Sequence, residues 1–153
     1  MSNLALPNGD DHPEAAQKNL ADAQILCAQH RPDGAGYLSG YVVECALKAL
    51  WLIEVGVPSG PAPWGRRGHD LSYLRAQVSA LATVAGASTA KYFGASVAGV
   101  STSAIATWTP ELRYRPPMIT ERQAEAWCRE AEAIFNETMA PCYLTECSDV
   151  YSF

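Results

Sequence analysis

A stripe of polar and aromatic residues is expected along one face of a helix in the first half of the chain. At about 100° per residue, Tyr37, Tyr41, Glu44 and Lys48 fall on the same helical face. Glu44 precedes Lys48 by four residues, the order that favours an ion pair. The rest of this helix is apolar, so the pair should be flanked by buried surface, where an unpaired ion is costly. The stripe predicts either a buried ion pair that fixes helix register or a pocket for a polar ligand.

Trp108, Arg113 and Tyr114 form a second group of candidate ligand-binding residues. They lie in the segment WTPELRYR (108–115), and three prolines in and just after it keep it from being the interior of a regular helix. An arginine between aromatic residues suits stacking on a base or bidentate binding of a phosphate. It could equally reach into the protein and complete the charge network of Glu44. The two interpretations are compatible.

His69 is the third candidate, in the segment RRGHD (66–70). A histidine just before a helix could act as an acid–base group near neutral pH, and the helix N-terminus could bind a phosphate. A lone histidine can also be a structural hydrogen-bonding residue. The patterns GxxxxGK, GxSxG and HExxH do not occur in the sequence, so the common phosphate-loop, hydrolase and zinc-protease interpretations have no support.

The composition indicates one globular domain. The chain has 153 residues, of which 48% are hydrophobic and 18% charged, enough for a core without covalent staples. No apolar run approaches the roughly 20 residues that span a membrane, and the first 11 residues do not resemble a secretory signal. A cytoplasmic protein without membrane association is expected. The net charge of −5 argues against nonspecific coating of nucleic acid, although a local basic pocket is compatible with it.

The five cysteines agree with a reducing compartment. Cys27, Cys45 and Cys128 fall at apolar positions of predicted helices, where a free thiol acts as a small hydrophobe. Cys142 and Cys147 could form a metal or disulfide pair, but no second pair of ligands lies nearby. No metal site and no cofactor are therefore predicted.

The hydrophobic periodicity predicts an all-α fold, an up-and-down bundle of four or five helices. A flexible lead (1–11) should precede the bundle (12–140), and a short tail (141–153) should follow it. Asp11 or His12 can cap the first helix, and the second, over about 35–55, is apolar on most of its circumference and should be central. Asp70 can cap the third helix. A loose fourth helix is expected within 83–107, and a capping box from Thr120 should start the last.

Three segments resemble the prokaryotic HEPN family. Residues 36–50 (GYLSGYVVECALKAL) are similar to the signature of the second HEPN helix, and residues 68–71 (GHDL) to the start of the next. Trp108 with Arg113 and Tyr114 resembles the block before the last helix. Together the segments frame residues 13–139. The resemblance implies a helical bundle that is usually a homodimer, associated with nucleotides or RNA in toxin–antitoxin or defence modules, often beside a nucleotidyltransferase partner.

The chain departs from the family at the motif used for RNA cleavage. HEPN ribonucleases carry an arginine followed four to six residues later by a histidine. The histidines here are His12, His30 and His69, and none has an arginine at that distance before it. Cleavage by the usual motif is therefore not expected.

Three functional hypotheses are compatible with these patterns and with the family resemblance. The first is a HEPN-type protein that binds a nucleotide or RNA through Tyr41, Glu44, Lys48, His69, Trp108, Arg113 and Tyr114. In that hypothesis Arg113 and Lys48 contact phosphate, and Tyr114 or Trp108 stacks on a base. The second is a ribonuclease with a rearranged site that uses His69 and Arg113. The third is a non-catalytic dimeric module that docks a partner such as a nucleotidyltransferase.

Overall fold

The computed structural model describes residues 2–149 of the chain, with side chains described up to residue 142. This part is an all-α bundle without β-strands, as the periodicity predicts. None of its helices is long and apolar enough to cross a membrane. The α-helices of the described residues are α1 (His12–Ala28), α2 (Pro32–Val55), α3 (Leu71–Ala82), α4 (Ala95–Gly99) and α5 (Glu121–Asp149).

Helix α1 starts at the predicted cap. The Asp11 carboxylate accepts a hydrogen bond from the Glu14 amide at 3.2 Å, and a proline occupies the first turn, where a missing N–H costs nothing. The residues before the helix are tied to it, because the amide and hydroxyl of Ser2 both donate to Asp11. Leu6 of this segment is buried. The described part of the N-terminal lead therefore packs on the bundle.

Helix α2 is the central helix, as its all-round apolar pattern predicts. Fourteen of its 24 residues are buried, and it packs against α1, α3 and α5. It ends at Gly56, whose φ of +86° is a conformation that glycine adopts without strain. A helix enclosed in this way buries every polar side chain on its inner faces, and those side chains must find partners inside the protein.

The region 83–107 differs from the predicted loose fourth helix. It contains a 3₁₀ turn (Ser88–Tyr92), the short α4 and another 3₁₀ turn (Ala104–Thr107). Val97 and Val100, two of the residues that suggested a helix, are completely buried in the core. Their helical spacing is real, but the chain bends between the short turns at glycine- and serine-rich positions.

Carboxylates of the long helices replace helical hydrogen bonding in this region. Glu54 of α2 accepts hydrogen bonds from the amide and hydroxyl of Thr89. The Glu137 carboxylate of α5 accepts hydrogen bonds from the backbone amides of Ser96 and Val97, each with an N–O distance of 3.0 Å. Glu130, also on α5, binds the amides of Ala104 and Ile105 in the same way. These bonds satisfy amides that a continuous helix would have satisfied itself.

Helix α5 begins as predicted and continues further than predicted. The Thr120 hydroxyl accepts the Gln123 amide at 3.2 Å, which caps the first turn. The helix then runs through Pro141 to Asp149, past position 140, where the bundle was expected to end. An interior proline lacks a backbone donor and its ring crowds the carbonyl four residues earlier, yet the helix continues beyond it. The Cys142 thiol donates to the Thr138 carbonyl at 3.2 Å, and the side chain of Cys147 lies outside the described residues.

Candidate functional site

Glu44 and Lys48 form a buried ion pair on α2. The Lys48 Nζ atom lies 2.6 Å from Glu44 Oε1, and the two residues are only 6% and 3% exposed. At this depth each charge depends on the other, because an unpaired ion in an apolar surrounding loses its hydration without compensation. The i, i+4 spacing therefore produces a direct contact inside the protein.

His69 engages the second oxygen of the same carboxylate. Its Nδ1 atom lies 2.8 Å from Glu44 Oε2, while 53% of its side chain is exposed. The segment that carries His69 is held by Asp70, which caps α3 through the Tyr73 amide and pairs with the Arg67 guanidinium. These two bonds, Arg67 first, lower the pKa of Asp70. The imidazole is thus anchored at one nitrogen and open to solvent on the other side.

An aromatic layer covers one side of this ion pair. The Tyr41 ring meets the rings of His69 and Trp108 edge-on, with centroids 6.2 Å and 5.0 Å away. The hydroxyl groups of Tyr37 and Tyr41 are 3.2 Å apart. Burial, followed by the hydrogen bond with Tyr37, raises the pKa of Tyr41, so this phenol stays protonated. The layer gives His69 a stiff aromatic support.

Trp108 is fixed against α2 by a glycine. A Cβ atom added to Gly40 would lie about 2 Å from three atoms of the indole, closer than any real contact. The indole Nε1–H donates to the Tyr37 carbonyl at 3.0 Å, and only 4% of Trp108 is exposed. Trp108 is therefore part of the wall, and its buried ring has little free face for a base to stack on.

His12 and Trp64 complete the surroundings of Lys48. The Lys48 ammonium lies 5.3 Å from the centroid of the Trp64 ring, a cation–π contact, and the His12 ring meets the same indole at 5.5 Å. His12 is 7% exposed, and within the described part of the chain its Nε2 atom has no hydrogen-bond partner. Burial, followed by the nearby Lys48 charge, lowers the pKa of His12 to about 4. His12 is therefore neutral near pH 7.

A cleft opens beside the exposed edge of His69. Its volume is about 350 Å³, and its polar lining includes Arg66, His69, Thr109 and Glu111, with Trp108 as one wall. We call it the His69 cleft. The N-terminus of α3 also faces it, but the Asp70 carboxylate already caps that end. The charge available to a ligand therefore comes from side chains, with the exposed Arg66 as the cation and the carboxylates of Asp70 and Glu111 as anions in the same lining.

Arg113 and Tyr114 lie at the edge of this arrangement. Both are exposed, Tyr114 by 75%, and the Arg113 guanidinium stacks 4.7 Å from the Tyr114 ring. A hydrogen bond with Tyr37 is the main cause that raises the pKa of Arg113. The contact of Arg113 with Glu44, one of the two alternatives considered for this arginine, does not form, and Glu44 instead contacts Lys48 and His69.

The structure brings most of the candidate residues together. Five of them form one continuous cluster: Tyr41, Glu44, Lys48, His69 and Trp108. Two participants were not selected from the sequence. His12 was considered only as a possible helix cap and as a histidine of the cleavage motif, and Trp64 lies in a proline-rich loop for which the sequence predicted no role. The signal in the sequence that could have indicated a role for Trp64 is a large aromatic residue among prolines and glycines, which favours a loop packed against the core.

The described residues contain no group of three or more His, Cys, Asp or Glu side chains placed to hold a metal ion. Comparison of the chain with protein-family models, curated proteins and solved structures found no match. Its resemblance to the HEPN family therefore stays a prediction from the sequence.

Proposed function

We propose that the chain is a HEPN-type helical protein that binds a nucleotide or RNA in the His69 cleft, as part of a toxin–antitoxin or defence module. One observation carries this proposal. The His69 imidazole is held by a buried carboxylate and borders a cleft that an exposed arginine also lines. A protonated imidazole and a guanidinium at one opening suit a phosphate group, which accepts several charge-assisted hydrogen bonds.

Burial determines which residues of the proposed site can contact a ligand. Glu44 and Lys48 lie beneath the surface, so in this proposal they position His69 and do not touch the ligand. Arg66 and His69 are exposed and would contact phosphate. The buried residues act through the exposed ones, which revises the expectation that all of them bind the ligand directly.

A stacking platform lies on the neighbouring 3₁₀ turn. The segment Pro110–Tyr114 starts in the lining of the His69 cleft and ends at the exposed Tyr114, beside Arg113. Aromatic rings that carry an arginine stack well on bases, with about 1–3 kcal/mol per base. A single strand whose phosphate lies at Arg66 could place a base on Tyr114.

Binding to a fluorescein-labelled single-stranded RNA, followed by anisotropy at two salt concentrations, tests the proposal. Arg66→Ala should weaken binding about fivefold and reduce the salt slope by about one. Arg129→Ala is the matched control, because it removes the same charge from an exposed position of α5 outside the His69 cleft. ATP should compete with the RNA. Absence of binding, or equal effects of the two substitutions, would contradict the proposal.

A ribonuclease activity is the second candidate, favoured by the Glu44–His69 contact. A carboxylate that orients an imidazole is a common arrangement for general acid–base catalysis. Arg113 does not line the His69 cleft, so Arg66 would supply the positive charge in this version. Incubation of labelled RNA with wild type and with His69→Ala distinguishes the candidates. Cleavage that the substitution abolishes supports a ribonuclease, and no cleavage, or cleavage that persists in the variant, rejects it.

A homodimer, or a complex with a nucleotidyltransferase-type partner, is the third proposal. Tyr114 and Met118 are 75% and 60% exposed on the segment before α5, and exposed large apolar side chains are typical of contact surfaces. Light scattering of the pure protein gives its mass in solution. A monomer that also binds no nucleotidyltransferase would reject this proposal.

A further inference from the structure

A small cavity lies between α2, α3 and the loop that precedes α3. Its volume is about 110 Å³, and it shares no lining residue with the His69 cleft. Aromatic and aliphatic side chains form most of the lining, which consists of Leu47, Trp51, Trp64, Tyr73, Leu74 and Val78 together with Pro63 and Gln77.

The aromatic walls are held in place by contacts outside the cavity. The Trp51 and Trp64 rings meet edge-to-face, with centroids 5.5 Å apart and planes at 85°. The Lys48 ammonium lies against the Trp64 ring, and the Arg67 guanidinium stacks 4.1 Å from the centroid of Tyr73. Each of the three rings therefore has at least one ring or cation partner in the structure without a ligand, and a cavity whose walls are already placed reduces the entropic cost of binding.

The mouth of the cavity differs in character from its walls. Pro63 and Gln77 are exposed there, and the Gln77 carboxamide offers one acceptor and one N–H₂ donor group. A ligand that fills the cavity therefore meets an apolar interior and a polar group at the rim. This pattern of apolar walls with a few polar groups is typical of small-molecule sites.

We propose that this cavity binds a small neutral aromatic molecule of one ring, with a hydroxyl or N–H group directed at Gln77. The inference goes beyond the proposed binding of a nucleotide or RNA. A dry apolar cavity of about 150 Å³ binds benzene, and the smaller volume here is open at its mouth, so a substituent can project outward. The apolar walls disfavour a charged ligand. The three aromatic rings favour an aromatic over an aliphatic one.

Titration calorimetry of the full chain with phenol, toluene and cyclohexanol tests the ligand class. Phenol should bind saturably at one site with a dissociation constant of about 1 mM or lower. Cyclohexanol has the same hydroxyl group on a non-aromatic ring and should bind at least about tenfold more weakly, because it lacks the ring–ring contacts. No saturable binding of phenol, or equal binding of cyclohexanol, would overturn the proposal.

The substitution Gln77→Leu tests the location, and because Gln77 is exposed the variant should fold normally. It should weaken phenol binding about fivefold and leave toluene binding equal or tighter, since only phenol loses a hydrogen bond. Tyr114→Ala, which removes an exposed aromatic ring outside this cavity, should change neither affinity. An unchanged ratio of phenol to toluene affinity in Gln77→Leu would place the ligand elsewhere and overturn the proposal.

Discussion

Glu44 Oε2 lies 2.8 Å from His69 Nδ1, a contact that joins residues 25 positions apart. It connects the most buried charge of α2 to the most chemically versatile side chain of the loop before α3. The other oxygen of Glu44 binds Lys48, so one carboxylate holds both a cation inside the protein and an imidazole at its surface. The proposed function depends on this double role.

Removing Glu44 should be far more costly than removing Lys48. Glu44→Met leaves the Lys48 ammonium buried without a counter-ion, and we expect a loss of about 3–5 kcal/mol in the free energy of unfolding. Lys48→Met leaves Glu44 bound to His69 and should cost less. The double variant Glu44→Met/Lys48→Met should be more stable than Glu44→Met alone. Urea unfolding measures all three.

The pair Glu125 and Arg129 provides the control for this cycle. It has the same i, i+4 spacing with the acid first, but both side chains are largely exposed and 4.0 Å apart. Glu125→Gln should therefore change stability by less than about 0.5 kcal/mol. A loss in Glu44→Met no larger than in Glu125→Gln would show that the buried pair contributes nothing specific.

Gly40→Ala should destabilise the protein by about 2 kcal/mol or more. The new methyl group overlaps the Trp108 indole, which cannot retreat because its Nε1–H is bonded to the Tyr37 carbonyl. Gly99→Ala is the matched control, since a Cβ atom there meets nothing within 4 Å. Thermal unfolding should lower the Tm of the first variant only. Equal Tm values of the two variants would contradict the close packing of Trp108 against Gly40.

Stability should fall on mild acidification because of His12. The pKa of His12 is lowered from 6.5 to about 4, so below pH 6.5 the unfolded chain takes up a proton that the folded protein rejects. The stability present above pH 6.5 is lost as the pH falls toward 4, by up to about 3 kcal/mol. His12→Gln cannot titrate and should flatten this part of the profile.

The exposed His30 is the control for the acid profile. His30→Gln removes a histidine whose side chain is 78% exposed and lies 3.3 Å from Glu121, so it shows what loss of a surface histidine does to the profile. Urea unfolding at several pH values compares the three proteins. A decline that His12→Gln does not reduce would contradict the burial of this histidine.

The Glu137 carboxylate of α5 should stabilise the short helix α4. Glu137→Ala removes the acceptor of the Ser96 and Val97 amides, and we expect a loss of about 2 kcal/mol. Hydrogen exchange of these two amides should accelerate more than exchange in α2. Glu132→Ala, whose described partner is the exposed side chain of Gln24, should change neither quantity. Unaltered exchange in Glu137→Ala would contradict the contact.

The long helices could be predicted from sequence because local signals agree there. Asp11, Asp70 and Thr120 cap their helices as their residue types suggest, and the apolar circumference of α2 marks it as central. The region 83–107 could not be predicted, because its turns depend on carboxylates from α2 and α5 that are distant in sequence. Periodicity reports which side chains are buried, and it does not report which distant acid satisfies a backbone amide.

The part of the candidate site that lies within one helix could be predicted from the sequence, and the contacts between distant segments could not. The Glu44–Lys48 pair is local to one helix and follows from spacing alone. The choice of His69 over Arg113 as the second partner of Glu44 depends on how the loop before α3 folds back on α2. His12 approaches Trp64 only through the packing of α1, which no spacing within one helix encodes.

Nitrogen-15 NMR of the His69 ring shows whether Glu44 holds this imidazole in one tautomer and whether RNA reaches it. At alkaline pH and without RNA we expect a proton on Nδ1, donated to Glu44, and an unprotonated Nε2 toward the cleft. Adding the single-stranded RNA to wild type should place a second proton on Nε2, because only a protonated Nε2 can donate to a phosphate, and at the same subsaturating RNA concentration the change should be smaller in Arg66→Ala. In the RNA-free protein at alkaline pH, a proton on Nε2 and none on Nδ1 would contradict the proposed role of Glu44, and a His69 ring that the RNA leaves unchanged would contradict the proposed site.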